Sequence, residues 1–295
     1  MTSRRLPSSS RSATHAGTWY DHDHQRLGRD LSNWIAAVPG PARPVRAVIA
    51  PHAGFRYSGP VAAHCYRHLQ DAVQGAKRIF ILGPSHHYAT SMCMLPELSH
   101  YDTPFGSLSV CNDTVNDLYG TGLFDIMSSD IDESEHSIEM HLPFIAHLSS
   151  SCRIVPIMVG AVPIQDRARY GSVLSPYLDD PETLFVISSD FMHFGHRFGY
   201  TRYDPAHGSV HASIAAIDRL AMDAIESLCV NAFDRYLMEY RNTICGRVPI
   251  SILLHAIQAS MTRFRLEFIH YAQSSQCQSV TDSSVSYAAG ILELV

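Results

Sequence analysis

The chain has 295 residues, 46% of them apolar, and a formal net charge of −6. That is ample material for a core, and no apolar run approaches the length of a membrane span, so a soluble globular protein is expected. The net acidity, with Lys and Arg scattered rather than clustered, excludes nucleic acid and anionic membrane as favoured partners.

Histidine is unusually frequent, with 18 residues against 22 Lys plus Arg. The seven cysteines, Cys65, Cys93, Cys111, Cys152, Cys229, Cys245 and Cys277, are widely spaced and include no C-x-x-C pair. This is the pattern of neither a disulfide framework nor a zinc finger, and reduced thiols in an intracellular compartment are expected.

At the N-terminus, Arg4, Arg5 and Arg11 stand in a Ser-rich stretch without an acid. Transit peptides share that composition, but the stretch is short and has no clear amphipathic period. It reads as a disordered tail over 1–13, followed by one domain over 14–295. Further on, short apolar β-branched runs alternate with longer helical patterns. That alternation predicts an α/β fold, a single domain with a largely parallel central sheet flanked by helices.

In chain order, a strand Val45–Ala50 runs into Pro51-His52-Ala53-Gly54, ahead of a helix Val61–Gln70. A strand Arg78–Leu82 runs into Gly83-Pro84-Ser85-His86-His87. A helix is expected over Ser137–Leu148, a strand over Arg153–Val159 and a helix over Gln165–Leu178. The strand Leu184–Ser188 runs into Ser189-Asp190-Phe191-Met192-His193. Helices Val210–Ser227, Ala232–Tyr240 and Pro249–Met261 follow, and strands Leu266–Ala272 and Ser284–Leu294 close the chain. Ligands of open α/β sheets bind beyond the carboxyl ends of parallel strands, where loops present polar groups over a rigid floor. Parallel strands therefore bring His52, His86, Asp190 and His193 to one rim.

His52 and His86 sit in Gly/Pro-restrained turns, which suits either a preorganised metal ligand or a histidine that only stabilises its turn. Asp190 and His193 form an Asp-x-x-His pair, in which the carboxylate either orients a general acid/base or caps the next segment. The stretch Asp132–His141 is dense in acids and histidines, but His136 and His141 are five apart, roughly 140° around a regular helix. They cannot chelate one ion from such a helix, and the acids before it suit its N-terminal dipole. Glu139 and His141 remain candidates to face the pocket. Cys245, near a helix start and beside Arg247, is open to two roles, a thiolate nucleophile or a soft metal ligand.

The same segments carry a family resemblance. His15-Ala16-Gly17-Thr18-Trp19-Tyr20, Ala50-Pro51-His52-Ala53-Gly54, Ile81 to His87 and Glu135 to Pro143 resemble the Memo family, as do Ser188 to Phe191, Asn242 to Arg247 and Tyr271 to Cys277. Memo stands for mediator of receptor-driven cell motility. The resemblance runs from about His15 to the C-terminus. It implies a fold akin to class III extradiol dioxygenases, which hold non-haem iron with two His and a carboxylate. Carried onto this chain, it implies that His52, His86 and Cys245 bind one copper or iron ion, with Asp190 and His193 on the acid/base side. Cysteine in place of the carboxylate argues against classical extradiol catalysis and shifts preference toward copper. The resemblance further implies redox roles in the cytoplasm and nucleus with a small oxidant such as oxygen. It also implies signalling to the cytoskeleton, with phosphotyrosine peptides or cytoskeletal signalling proteins as partners. The alternatives are a non-catalytic phosphopeptide-binding module and a Cys245-dependent hydrolase.

Overall fold

The computed structural model describes residues 9–295. At its centre, Val45–Ala50, Thr183–Ser188, Arg78–Pro84 and Arg153–Val159 stand side by side in that order, all parallel. Every residue of Val45–Ala50 and of Thr183–Ser188 is buried. Strands covered on both faces need continuous apolar side chains, and this is why these runs show no polar alternation.

The parallel arrangement ends at both flanks, so the nine-stranded sheet is mixed. Ser284–Leu294 pairs antiparallel with Val45–Ala50, with Phe264–Gln273 and with the short His193–Phe194 strand. On the other side Cys93–Pro96 runs antiparallel to Arg153–Val159 and parallel to Phe124–Met127. Helix Phe55–Gly75 packs on Val45–Ala50 and Ser284–Leu294, and helix His24–Ala37 packs on it. Helices Ile164–Asp179 and Arg247–Ala259 pack together against Thr183–Ser188. One continuous apolar core joins these layers. No helix among the described residues is long and apolar enough to cross a membrane.

The expected strands Arg153–Val159 and Ser284–Leu294 match to the residue. The helix expected from Val61 starts earlier, at Phe55, and runs through Pro60. Pro60 stands near the start of the helix on its exposed side, as does Arg56, whose carbonyl it cannot bond. The stretch expected as a helix over Ser137–Leu148 is a 3₁₀ turn at Glu139–His141 followed by a helix at Leu142–Leu148.

The expected tail needs correction. Residues 1–8 lie outside the described residues, but Ser10–Arg11 forms a strand parallel to His100–Thr103. Arg11 is fully buried and reaches Asp132 at 2.9 Å and Glu139 at 2.5 Å. A guanidinium is tolerated in a core only when paired, and its partners lie more than 120 residues away, invisible from the local composition.

Candidate metal centre

The three turns expected at one rim do meet there. Register places Ala50 beside Ser188 and Leu82 beside Ile187, so the chain leaves these adjacent strands at the same edge. His52 lies two residues beyond Ala50, after Pro51, and is buried, and its backbone N–H donates to Asp190 Oδ1 at 2.9 Å.

The tautomer of His52 follows from its neighbours. Ser188 Oγ donates its only proton to the Ser137 carbonyl at 2.7 Å. It must therefore accept from His52 Nδ1–H at 2.6 Å and from His141 Nε2–H at 2.8 Å. His141 Nδ1 in turn accepts from the Tyr66 hydroxyl at 2.9 Å. This assignment leaves the Nε2 of His52 unprotonated, an acceptor facing Cys245 Sγ at 3.2 Å. Burial, with the neighbouring charges of His86, His136, His141 and His193, lowers the His52 pKa well below the ordinary range. His52 is thus neutral, the form that binds a metal.

His86 is oriented in the same way. Its backbone N–H donates to Glu135 Oε2 at 2.6 Å and its Nδ1–H to Oε1 at 2.9 Å. Ser137 N–H also donates to Oε1, at 2.8 Å. Burial would raise Glu135, but the hydrogen bonds and charge of His86 outweigh it and hold the carboxylate at about 2. The loop comes this close because Gly83 has no side chain; a Cβ there would stand 2.5 Å from Ser137 Oγ. A carboxylate or hydroxyl fixing Nδ1 while Nε2 stays free is the usual outer layer of a metal-binding histidine.

Cys245 enters from the loop before helix Arg247–Ala259. Gly246 sits against the strand end, where a Cβ would be 2.4 Å from the Ser188 carbonyl oxygen. Cys245 Sγ accepts from Asp190 N–H at 3.1 Å. Ligand atoms of His52, His86 and Cys245 all lie within 4.8 Å of one another, a group able to hold a metal ion. Two imidazoles and a thiol fit a borderline or soft transition ion better than calcium or magnesium.

Other expected residues take different places. Asp190 does not orient His193: Asp190 accepts from the His52 backbone, while His193 Nδ1–H donates to the Phe191 carbonyl at 3.0 Å. Burial raises the Asp190 carboxyl to about 7, partly offset by the His52 and Ala53 backbone bonds. His141 stands one layer behind His52. Glu139 does not face the opening; its oxygens are taken by Arg11, His15 and Tyr20. Arg247 does not bond Cys245; its guanidinium donates to the Ile244 carbonyl at 3.1 Å. The thiolate expected beside Arg247 is not favoured, because burial and then the Asp190 charge push the Cys245 thiol up.

His136, set aside on helical geometry, belongs to the rim. Helix Ser129–Ser134 ends before it and Glu135 is extended, so His136 and His141 do not share a helix. The His136 ring stacks on His86 at 4.5 Å and lies 4.4 Å from Trp19. Its Nδ1 is buried without a hydrogen-bond partner, and His86, Glu135 and His136 form a second group of converging ligand atoms. The local signal was the Glu135-His136 dipeptide at the chain's densest polar stretch.

The sequence pattern of the Memo-like protein family matches residues 11–291. The chain is 47% identical to Protein MEMO1 of Xenopus laevis, covering 96% of this chain and 97% of that one. It is 45% identical to Protein MEMO1 of Homo sapiens over the same shares. It is 43% identical to the memo-1 homolog of Caenorhabditis elegans, over 96% of this chain and 82% of that one. The crystal structure of uncharacterized protein JW3007 from Escherichia coli K12 superposes with a TM-score of 0.50 at 12% identity, covering 82% of this chain and 99% of that one. That likeness supports the α/β fold alone. With nearly its whole length matched in order, this chain belongs to the Memo family.

Proposed function

We propose that the chain is a metal-dependent redox protein that holds one copper or iron ion through His52, His86 and Cys245. The observation carrying this reading is the approach of His52 Nε2 to Cys245 Sγ at 3.2 Å beside His86, with Nδ1 of both imidazoles occupied from behind. A bound ion of this kind supplies redox chemistry toward a small oxidant such as oxygen. The chain's own residues orient and hold protons around it. Ser188 and Glu135 fix the imidazoles, and the Asp190 N–H fixes the sulfur. His193, with Nδ1–H given to a carbonyl, keeps Nε2 free to accept a proton.

The seven unpaired cysteines support a reducing compartment, the cytoplasm or nucleus. Family membership supports a role in signalling for motility or invasive growth. A Cys245-dependent hydrolase is less favoured, since the half-buried thiol lacks the lowered pKa that a nucleophile needs.

Elemental analysis of the wild type beside His52→Ala, His86→Ala and Cys245→Ser tests the metal reading. About one equivalent of copper or iron is expected in the wild type, with clear loss in each variant; equal content in all four removes it. Pull-down with tyrosine-phosphorylated and unphosphorylated peptides tests the signalling partner, and equal capture counts against it.

A further inference from the structure

Beside the loop that carries Cys245 is a cavity of about 410 Å³, lined by none of His52, His86 and Cys245. It lies between the start of helix Ile164–Asp179, the end of helix Val230–Tyr240 and residues 241–247. Arg167, Arg241 and Arg247 line it, and Asp234 is the only carboxylate among the lining residues.

The charges in this cavity are incompletely answered. Arg167, with only 11% of its side chain exposed, donates to the Val162 carbonyl at 3.1 Å and to Ser251 Oγ at 3.4 Å, but lies 3.6 Å from its one carboxylate, Asp234, too far for a hydrogen bond. Asp234 Oδ1 is buried and has no hydrogen-bond partner. Burial lowers the Arg167 guanidinium, Asp234 offsets part of this, and the charge of Arg247 lowers it further. Arg241 reaches the cavity wall from a left-handed backbone with φ 49° at the end of its helix, a conformation rarely adopted outside glycine. Guanidinium groups bind phosphoryl oxygens through paired, charge-assisted hydrogen bonds. The cavity is larger than one phosphoryl group, and Ile164 and Met238, 54% and 65% exposed, offer apolar surface at its mouth.

We propose that this cavity binds a phosphate monoester, with its phosphoryl oxygens held by Arg167, Arg241 and Arg247 and its organic body against Ile164 and Met238. Binding here reaches the loop of the metal centre without depending on a metal being present. Thr243 lines the cavity and bonds the His193 backbone at 2.7 and 3.0 Å. Arg247 holds the carbonyl of Ile244, the residue before Cys245. Occupancy therefore stiffens residues 241–247.

The full chain is titrated calorimetrically with phenyl phosphate, glycerol 3-phosphate, inorganic phosphate and, at matched ionic strength, chloride. Hydrogen exchange is followed with and without phenyl phosphate. Saturable binding of the monoesters is expected, tighter than inorganic phosphate, with slowed exchange confined to 164–167 and 241–247. Arg241→Gln, at an exposed position, is expected to bind about tenfold more weakly while keeping its circular dichroism. Chloride matching phosphate, unchanged affinity in Arg241→Gln, or exchange unaltered in those segments each overturns the proposal. Inorganic phosphate binding as tightly as the monoesters overturns the role given to the organic body.

Discussion

At the scale of single residues, the centre depends on groups that stand behind His52 and His86 rather than beside Cys245. Ser188 and Glu135 set which nitrogen of His52 and of His86 carries the proton. Removing that support is expected to weaken metal affinity by about 10–100-fold in Ser188→Ala or Glu135→Gln. Competition against a chelator of known strength measures this, and affinities equal to wild type would discount the outer layer. Titration follows from the same burial. Burial lowers His141 to about 3, so it stays neutral in the fold while the unfolded residue takes up a proton near its ordinary value. The sign is that of a depressed base: the unfolded state binds more protons between about pH 6.5 and 3, so this contribution is lost as pH falls. Asp190, raised to about 7, acts in the opposite direction on the same descent, because its folded form holds the extra proton. Urea unfolding of metal-free protein isolates the histidine part. The drop in midpoint from pH 6.5 to 4.5 is expected to be smaller in His141→Gln than in wild type. An equal drop would assign the acid sensitivity elsewhere.

At the scale of elements, two short segments are tied to the site by fit rather than by propensity. The loop carrying Cys245 seats Gly246 against Ser188 and Ser189, with no room for a methyl group. Gly246→Ala is expected to cost about 1–3 kcal/mol by overpacking and to displace Cys245. Chemical denaturation and metal content should fall together, and full metal loading at wild-type stability would show that the loop tolerates the shift. The N-terminal strand is anchored by Arg11, and its partner Glu139 also holds His15 and Tyr20, on either side of the rim residue Trp19. Arg11→Ala leaves Asp132 and Glu139 buried without their cation and is expected to cost about 3–5 kcal/mol in denaturant unfolding. A loss below about 1 kcal/mol would place the pair among weak surface bridges.

At the scale of the whole molecule, His52, His86 and Cys245 come from three loops spread between residues 52 and 245 and meet only when the sheet is formed. Metal added at about 100 times its dissociation constant is therefore expected to stabilise the fold by about 2.7 kcal/mol. Thermal unfolding with and without the ion, in wild type and in Cys245→Ser, reads this out. The same shift in both proteins would mean that the ion acts elsewhere.

Burial and period made the central strands legible in the sequence, because strands covered on both faces must be continuously apolar. The restrained turns after them marked His52 and His86 for the same reason: a strand end offers polar groups a rigid floor. Helix His24–Ala37 was legible but passed over, since Asp23 caps it and Leu27, Leu31 and Ile35 recur at four-residue spacing. Strands of four residues such as Cys93–Pro96 and Phe124–Met127 are too short to show a period. The directions of Arg247, Glu139 and His136 were decided only by tertiary structure. A side chain's neighbours depend on contacts across the chain, such as Glu139 meeting Arg11 and His86 meeting Glu135. The sequence by itself determined which residue types stand at the strand ends. Only the assembled fold decided which of them converge, because proton positions, burial and reach belong to the packed neighbourhood and not to the residue.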